Sequence, residues 1–230
     1  MNSMESIKDI VVFDFCQTLC NFETADAFVE YVCQKETNHR IRLLSLVEKI
    51  IIKSKIIVLF DLYGHIMHHS LWKRFLLEKL KGIEKDTLEL YAECYYIERI
   101  KPNLIPDTLQ RLTSAHNKGI NVAIVSASYE VFLKLFAQDY NVDLLVSNQF
   151  LYDKKGRFLG RFKGKDCIYT NKVKRFYEAL SPAQVNVFES YGDSRSDIPI
   201  LSIAQNAYVI SRHAHKKWVE KTNFNEIIWQ

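Results

Sequence analysis

The sequence predicts an α/β fold, a parallel-sheet core interrupted by a long all-helical insert, and three observations carry this. The apolar run Ile10-Val11-Val12-Phe13 ends in a polar cluster, the pattern of a buried parallel strand whose carboxyl end meets a ligand crevice. From residue 106 onward, helical patterns alternate with short β-branched runs, as they do where crossover helices join parallel strands. Between these two regions, over 40–99, the apolar spacing stays helical.

Residues 10–13 form the first strand, and 23–34 a helix with Ala25, Phe28, Val29 and Val32 on one face and Thr24 or Asn21 as its cap. In the insert, Leu43, Leu44, Val47, Ile50 and Ile51 make one apolar face, Leu71, Phe75, Leu76 and Leu80 a second, and Leu88, Tyr91, Ala92 and Tyr95 a third. Gly64 and Gly82 are the expected breaks, and Pro102 and Pro106 end the insert. A helix over 107–118 follows, capped by Gly119, then a strand over 122–125 running into Ser126-Ala127-Ser128. Next come a helix over 129–139, a strand over 144–146, and a hairpin of 149–152 with 157–161 turning at Gly156. A helix over 171–180, a strand over 186–189, a helix over 194–204 and a last strand over 207–210 precede a basic, partly aromatic tail. The implied core is Rossmann-like, with three α/β/α layers.

The chain has 230 residues, 48% hydrophobic and 25% charged, with a net charge of +4. Lys and Arg are interspersed with Asp and Glu, so nucleic acid is not an expected partner. A membrane is not expected either. The most apolar window, 50–63, is broken by Lys53, Lys55 and Asp61, short of the roughly 18 uninterrupted residues of a spanning helix, and reads as a buried helix. Cys16, Cys20, Cys33, Cys94 and Cys167 are odd in number and lack paired C-x-x-C spacing, which predicts reduced thiols in a cytoplasmic protein. No secretory signal pattern precedes the first strand.

Three predicted strands end in polar groups: Asp14, Ser126 and the run Gly192-Asp193-Ser194-Arg195-Ser196-Asp197. A parallel sheet brings such ends to one edge. Carboxylates gathered there repel unless a cation lies among them, and hard oxygen donors favour Mg2+. Ser126 offers a hydroxyl and backbone N–H groups to an anion, and Lys172 a positive charge. Together they describe a phosphoryl-transfer site with Asp14 as the nucleophile.

The ordered set resembles the haloacid dehalogenase (HAD) superfamily of phosphatases, and within it the phosphoserine-phosphatase branch with a helical cap. That family has an Asp-x-Asp-x-Thr strand end, a helical cap, a strand ending in Ser, a Lys, and a Gly-Asp-Ser-x-x-Asp loop. The matching positions here are 14–18, 21–102, Ser126, Lys172 and 192–197, with 1–20 and 103–230 forming the catalytic core. The resemblance implies Asp14 as nucleophile and metal ligand, the carbonyl of Cys16 and Asp193 as further ligands, and Asp197 as part of the metal site. It implies phosphoryl contacts from Thr18 and Ser126, and a bridging Lys172, for which Lys163 and Lys165 are rivals. Glu23 and Arg74 fall where that branch meets the organic part of its substrate, here a small phosphorylated metabolite; Ser126-Ala127-Ser128 differs from the branch's Ser-Gly-Gly.

One position departs from the family. Its second Asp, two residues after the nucleophile, protonates the leaving group and later deprotonates water; this chain has Cys16 there. A thiol is a poor acid for an alkoxide and is seldom ionised enough to serve as base. Three readings follow: a slow or specialised Mg2+-dependent phosphatase, a binding or regulatory protein for a phosphorylated ligand, and a phosphotransferase with an acceptor other than water.

Overall fold

The structure, a computed structural model, describes residues 8–36, 38–54, 70–181 and 184–229. Its main sheet has six parallel strands in the order β3-β2-β1-β6-β7-β8. These are β1 (Lys8–Phe13), β2 (Asn121–Tyr129), β3 (Leu144–Asn148), β6 (Val185–Gly192), β7 (Asn206–Arg212) and β8 (Asn225–Trp229). From β1 the chain builds outward through β2 and β3, then returns to the other side of β1 to add β6, β7 and β8. The strand order therefore reverses at β1, and a reversal of this kind opens a crevice beyond the carboxyl ends of the strands.

Side-chain alternation separates the two faces of the sheet. Val11 and Phe13 join the larger apolar cluster, under α5 (Pro106–Asn117) and α6 (Glu130–Asp139). Ile10 and Val12 join a second cluster with Phe176 of α7 (Thr170–Leu180) and Ile200 of α8 (Ile198–Leu201). This gives the three layers expected.

Between β1 and α5 the described residues form α1 (Thr24–Lys35), α2 (His39–Lys53), α3 (Leu71–Leu80) and α4 (Lys85–Tyr95). The antiparallel hairpin of β4 (Phe150–Tyr152) and β5 (Phe158–Phe162) is tied to these helices, Gly82 N donating to Phe158 O and Phe158 N to Ile83 O. Phe28, Tyr95, Tyr129, Phe132 and Phe150 pack ring against ring, so the helical layer and the sheet share one apolar interior.

Several expectations differ from the fold. The tail holds a sixth strand, β8, so 207–210 is not the last. The helix expected over 194–204 is a 3-10 turn, Arg195–Asp197, followed by the short α8, because the Asp197 side chain folds back onto Ser194. Neither Thr24 nor Asn21 caps α1; Glu23 holds the N-cap position with no side-chain cap bond, and the Thr24 hydroxyl is used elsewhere. The described part of the 50–63 window is not buried, Ile50 and Ile52 being 65% and 52% exposed. Helix α2 docks instead through Ile41 and the pairing of Glu48 with Lys79, which turns its Leu43, Val47 and Ile50 ridge outward. Residues 55–63 and Gly64 lie outside the described residues.

Candidate active site

Asp14 follows β1 directly and is tied to the neighbouring strand by its own N–H, which donates to Tyr191 O at 2.8 Å. It is buried at the switch point, and in that position it meets Lys172. Helix α7 carries Lys172 inward, 1% exposed, with Nζ 2.7 Å from Asp14 Oδ1 and 2.5 Å from Asp197 Oδ1. Lys163 and Lys165, the rival lysines, are exposed. Carboxylate oxygens of Asp14, Asp193 and Asp197 come within 4.8 Å of one another.

The loop after β6 is built around a glycine. A Cβ on Gly192 would lie 2.7 Å from Asp197 Cβ, so only glycine lets the Asp197 side chain pack beneath the strand end. Asp197 Oδ2 then accepts from the N–H groups of Asp193 and Ser194 and from Ser194 Oγ, while Oδ1 takes the Lys172 ammonium. Both Asp197 oxygens are thus engaged by protein donors, which makes this residue a brace for the loop.

Burial raises the Asp14 carboxyl to about 6, against the attraction of Lys172. Burial, with Asp197 and Asp14 close by, pushes Asp193 up to about 8. Burial works the same way on Asp197, but the Lys172 ammonium and the Ser194 donors hold it below the usual carboxylate range. Lys172 stays charged, since Asp14 and Asp197 outweigh the cost of its burial. Three buried carboxylates set against the buried Lys172 ammonium and the half-buried Lys216, 3.5 Å from Asp193, leave the cluster short of positive charge. A hard divalent cation fits this donor set, with Asp14 and Asp193 each keeping one carboxylate oxygen outside their lysine contacts.

Around Cys16 lies a closed ring of side chains. Its Sγ is 3.0 Å from Thr24 Oγ1 and 3.0 Å from Ser128 Oγ, and those two hydroxyls are 2.6 Å apart. Thr24 N also donates to the sulfur, at 3.4 Å. Burial, with Glu23 and Asp14 nearby, pushes the thiol well above its ordinary range, so it is a neutral S–H.

The cavity at this edge is small, about 80 Å³, and Asp14, Cys16, Glu23, Ser126, Lys172 and Asp193 line it. Thr18 does not. Its buried hydroxyl has no hydrogen-bond partner among the described residues, and its carbonyl accepts from Thr108. Arg74 lies outside, in a separate groove of about 490 Å³ with Glu78, Lys81 and Arg161. The cation that α3 sends into the cavity lined by Asp14 is its neighbour Lys73, 9% exposed. Its Nζ donates to Ala127 O at 3.0 Å and lies 3.7 Å from Asp166. The signal for Lys73 is helical phase: it shares the face of Leu77 and Leu80, both fully buried, at i+4 and i+7. Glu23 stands at the rim, its carboxylate accepting from Gln17 Nε2.

The five cysteines are free thiols. Among the described residues, no helix is long and apolar enough to cross a membrane.

Residues 11–202 match the family model described as haloacid dehalogenase-like hydrolase. Among curated proteins, the chain is similar to Protein CicA of Caulobacter vibrioides, 27% identical over 205 residues that cover 88% of this chain and 86% of the relative. It is also similar to the histidinol-phosphatase of Neisseria meningitidis serogroup C, 20% identical over 214 residues, 90% and 92% of the two chains. Among solved structures, it superposes on a phosphoserine phosphatase in its apo form with a TM-score of 0.62 at 18% identity, over 95% of this chain and 93% of that one.

Proposed function

Because the chain belongs to the haloacid dehalogenase-like hydrolase family, we propose that it is a magnesium-dependent phosphatase that cleaves a small phosphomonoester through an aspartyl-phosphate on Asp14. The observation that carries this reading is the contact of Lys172 with Asp14 at 2.7 Å, inside a buried cluster of three carboxylates. The similarity to a histidinol-phosphatase and to a phosphoserine phosphatase supports the same reaction class.

Asp14 and Asp193, with the carbonyl of Cys16, would hold Mg2+. The ion supplies the positive charge that keeps Asp14 ionised and offsets charge on the phosphoryl oxygens. Lys172 orients the Asp14 carboxylate and adds a second positive charge. Ser126, which lines the cavity, is a donor for the phosphoryl oxygens. An Asp14 oxygen attacks phosphorus as the bond to the leaving oxygen breaks; water then cleaves the aspartyl-phosphate, releasing inorganic phosphate and restoring the carboxylate. Glu23 and Lys73 flank the space left for the organic part. On this reading residues 21–102 serve as the cap over a core of 1–20 and 103–230.

The neutral thiol of Cys16 favours a specialised form of the reaction. With no carboxylic acid at that position, the leaving oxygen departs readily only if it is weakly basic or brings its own proton. A panel of phosphorylated metabolites and an aryl phosphate, assayed with Mg2+, tests the proposal. Wild type should turn over at least the aryl phosphate and Asp14→Asn none of the panel. Ligand binding without turnover by wild type would instead mark a phospho-ligand binding protein.

A further inference from the structure

We propose that Lys216 is a positioning residue for Asp193, held in place by Glu226 of the last strand. Both residues lie beyond 11–202, the stretch matched by the family model, in the tail that the sequence marks only as basic and aromatic. Lys216 sits between β7 and β8. Its ammonium donates to the carbonyl of Asp193 and, at 2.9 Å, to that of Ile210, and lies 3.5 Å from Asp193 Oδ2. One side chain thus joins the strand-end loop after β6 to the strand β7 beside it. Fixing the Asp193 carbonyl fixes the backbone from which its carboxylate projects.

The lysine is itself anchored. Its N–H donates to Glu226 Oε1 at 2.8 Å, and the same carboxylate accepts from Ser211 Oγ and lies 2.8 Å from His215 Nδ1. Glu226 therefore gathers Ser211 of β7 with His215 and Lys216 of the β7–β8 connection, and Lys216 passes that constraint to Asp193. Groups that orient a metal ligand from outside the coordination sphere typically change metal affinity about 10- to 100-fold when removed.

The inference rests on the reading of Asp193 as a Mg2+ ligand, and a calorimetric titration of the full chain with Mg2+ separates the two. Asp193→Asn should lose binding; if it binds as wild type does, the reading of the site fails. Lys216→Met should bind Mg2+ about 10- to 100-fold more weakly. Glu226→Ala should shift in the same direction by less. A lysine that only neutralised charge would give the opposite sign, since its removal leaves a more negative site and tighter binding. A purely structural lysine would lower the melting temperature in chelator and leave Mg2+ affinity unchanged below it. Equal or tighter binding in Lys216→Met overturns the inference, as does unchanged binding in Glu226→Ala should Lys216→Met fail to fold.

Discussion

At position 16 a thiol stands among donors. Thr24 Oγ1, Ser128 Oγ and Thr24 N all converge on its sulfur, a set of partners that a carboxylate could accept from as well. Replacing the thiol by an acid should therefore be tolerated by its neighbours and should restore a proton donor and acceptor beside the leaving oxygen. Cys16→Asp is expected to raise the rate of leaving-group release from alkyl phosphates by about 10²-fold, the lower end of the range for general acid–base help, with much less change for an aryl phosphate. Single-turnover rates of leaving-group release from the two substrates check this; an equal change on both would contradict the assigned role. The identity of residue 16 was legible in the chain, because it falls two positions after a strand-end Asp. The ring that holds it was not, because Ser128 is 112 residues away and Thr24 reads from sequence as a helix cap.

At the level of the element, helical phase decides which cation of α3 faces the chemistry. Lys73 and Arg74 are adjacent in sequence but about 100° apart around the helix, so only one can share the inner face with Leu77 and Leu80. That residue is Lys73, while Arg74 lines the separate groove with Glu78 and Lys81. Lys73→Met is expected to raise KM for a substrate with an anionic leaving group about tenfold, ~1.4 kcal/mol of binding, and Arg74→Met to leave it near wild type. The reverse order in a KM comparison would return the role to Arg74. The amphipathic pattern of this helix was readable, yet a basic pair at the edge of an apolar stripe does not say which member lies inside until packing fixes the rotation. Strand β8 was hidden for a related reason. Its Asn225 and Glu226 interrupt the apolar run, and among the described residues it pairs only with β7, at the sheet edge.

Across the whole molecule, three strand ends that are distant in sequence meet because the strand order of the parallel sheet reverses at β1. The order of motifs along the chain was enough to anticipate this convergence, whereas the balance of charge it creates depends on burial. Asp14 and Asp193 have carboxyls raised from 3.8 to about 6 and about 8, so the folded protein without metal holds protons that the unfolded chain releases. Stability rises with pH only where the unfolded state binds more protons; here it binds fewer, so these two groups lower stability as pH climbs from 3.8 to about 8. Asp197, held low, contributes in the opposite sense and only below that window. Melting temperature in chelator should accordingly fall across this range, and added Mg2+ should flatten the fall; a metal-free profile that rises toward pH 8 would contradict the charge account. The central claim is that Asp14 takes the phosphoryl group. On the reading that Cys16 stands where a water-activating carboxylate would, the aspartyl-phosphate should persist long enough to trap. Wild type mixed with an aryl phosphate and Mg2+, quenched in acid and digested, should yield one phosphoryl group on the peptide that carries Asp14 and none in Asp14→Asn. Turnover with no phosphorylated peptide, or with the group on another residue, would contradict it.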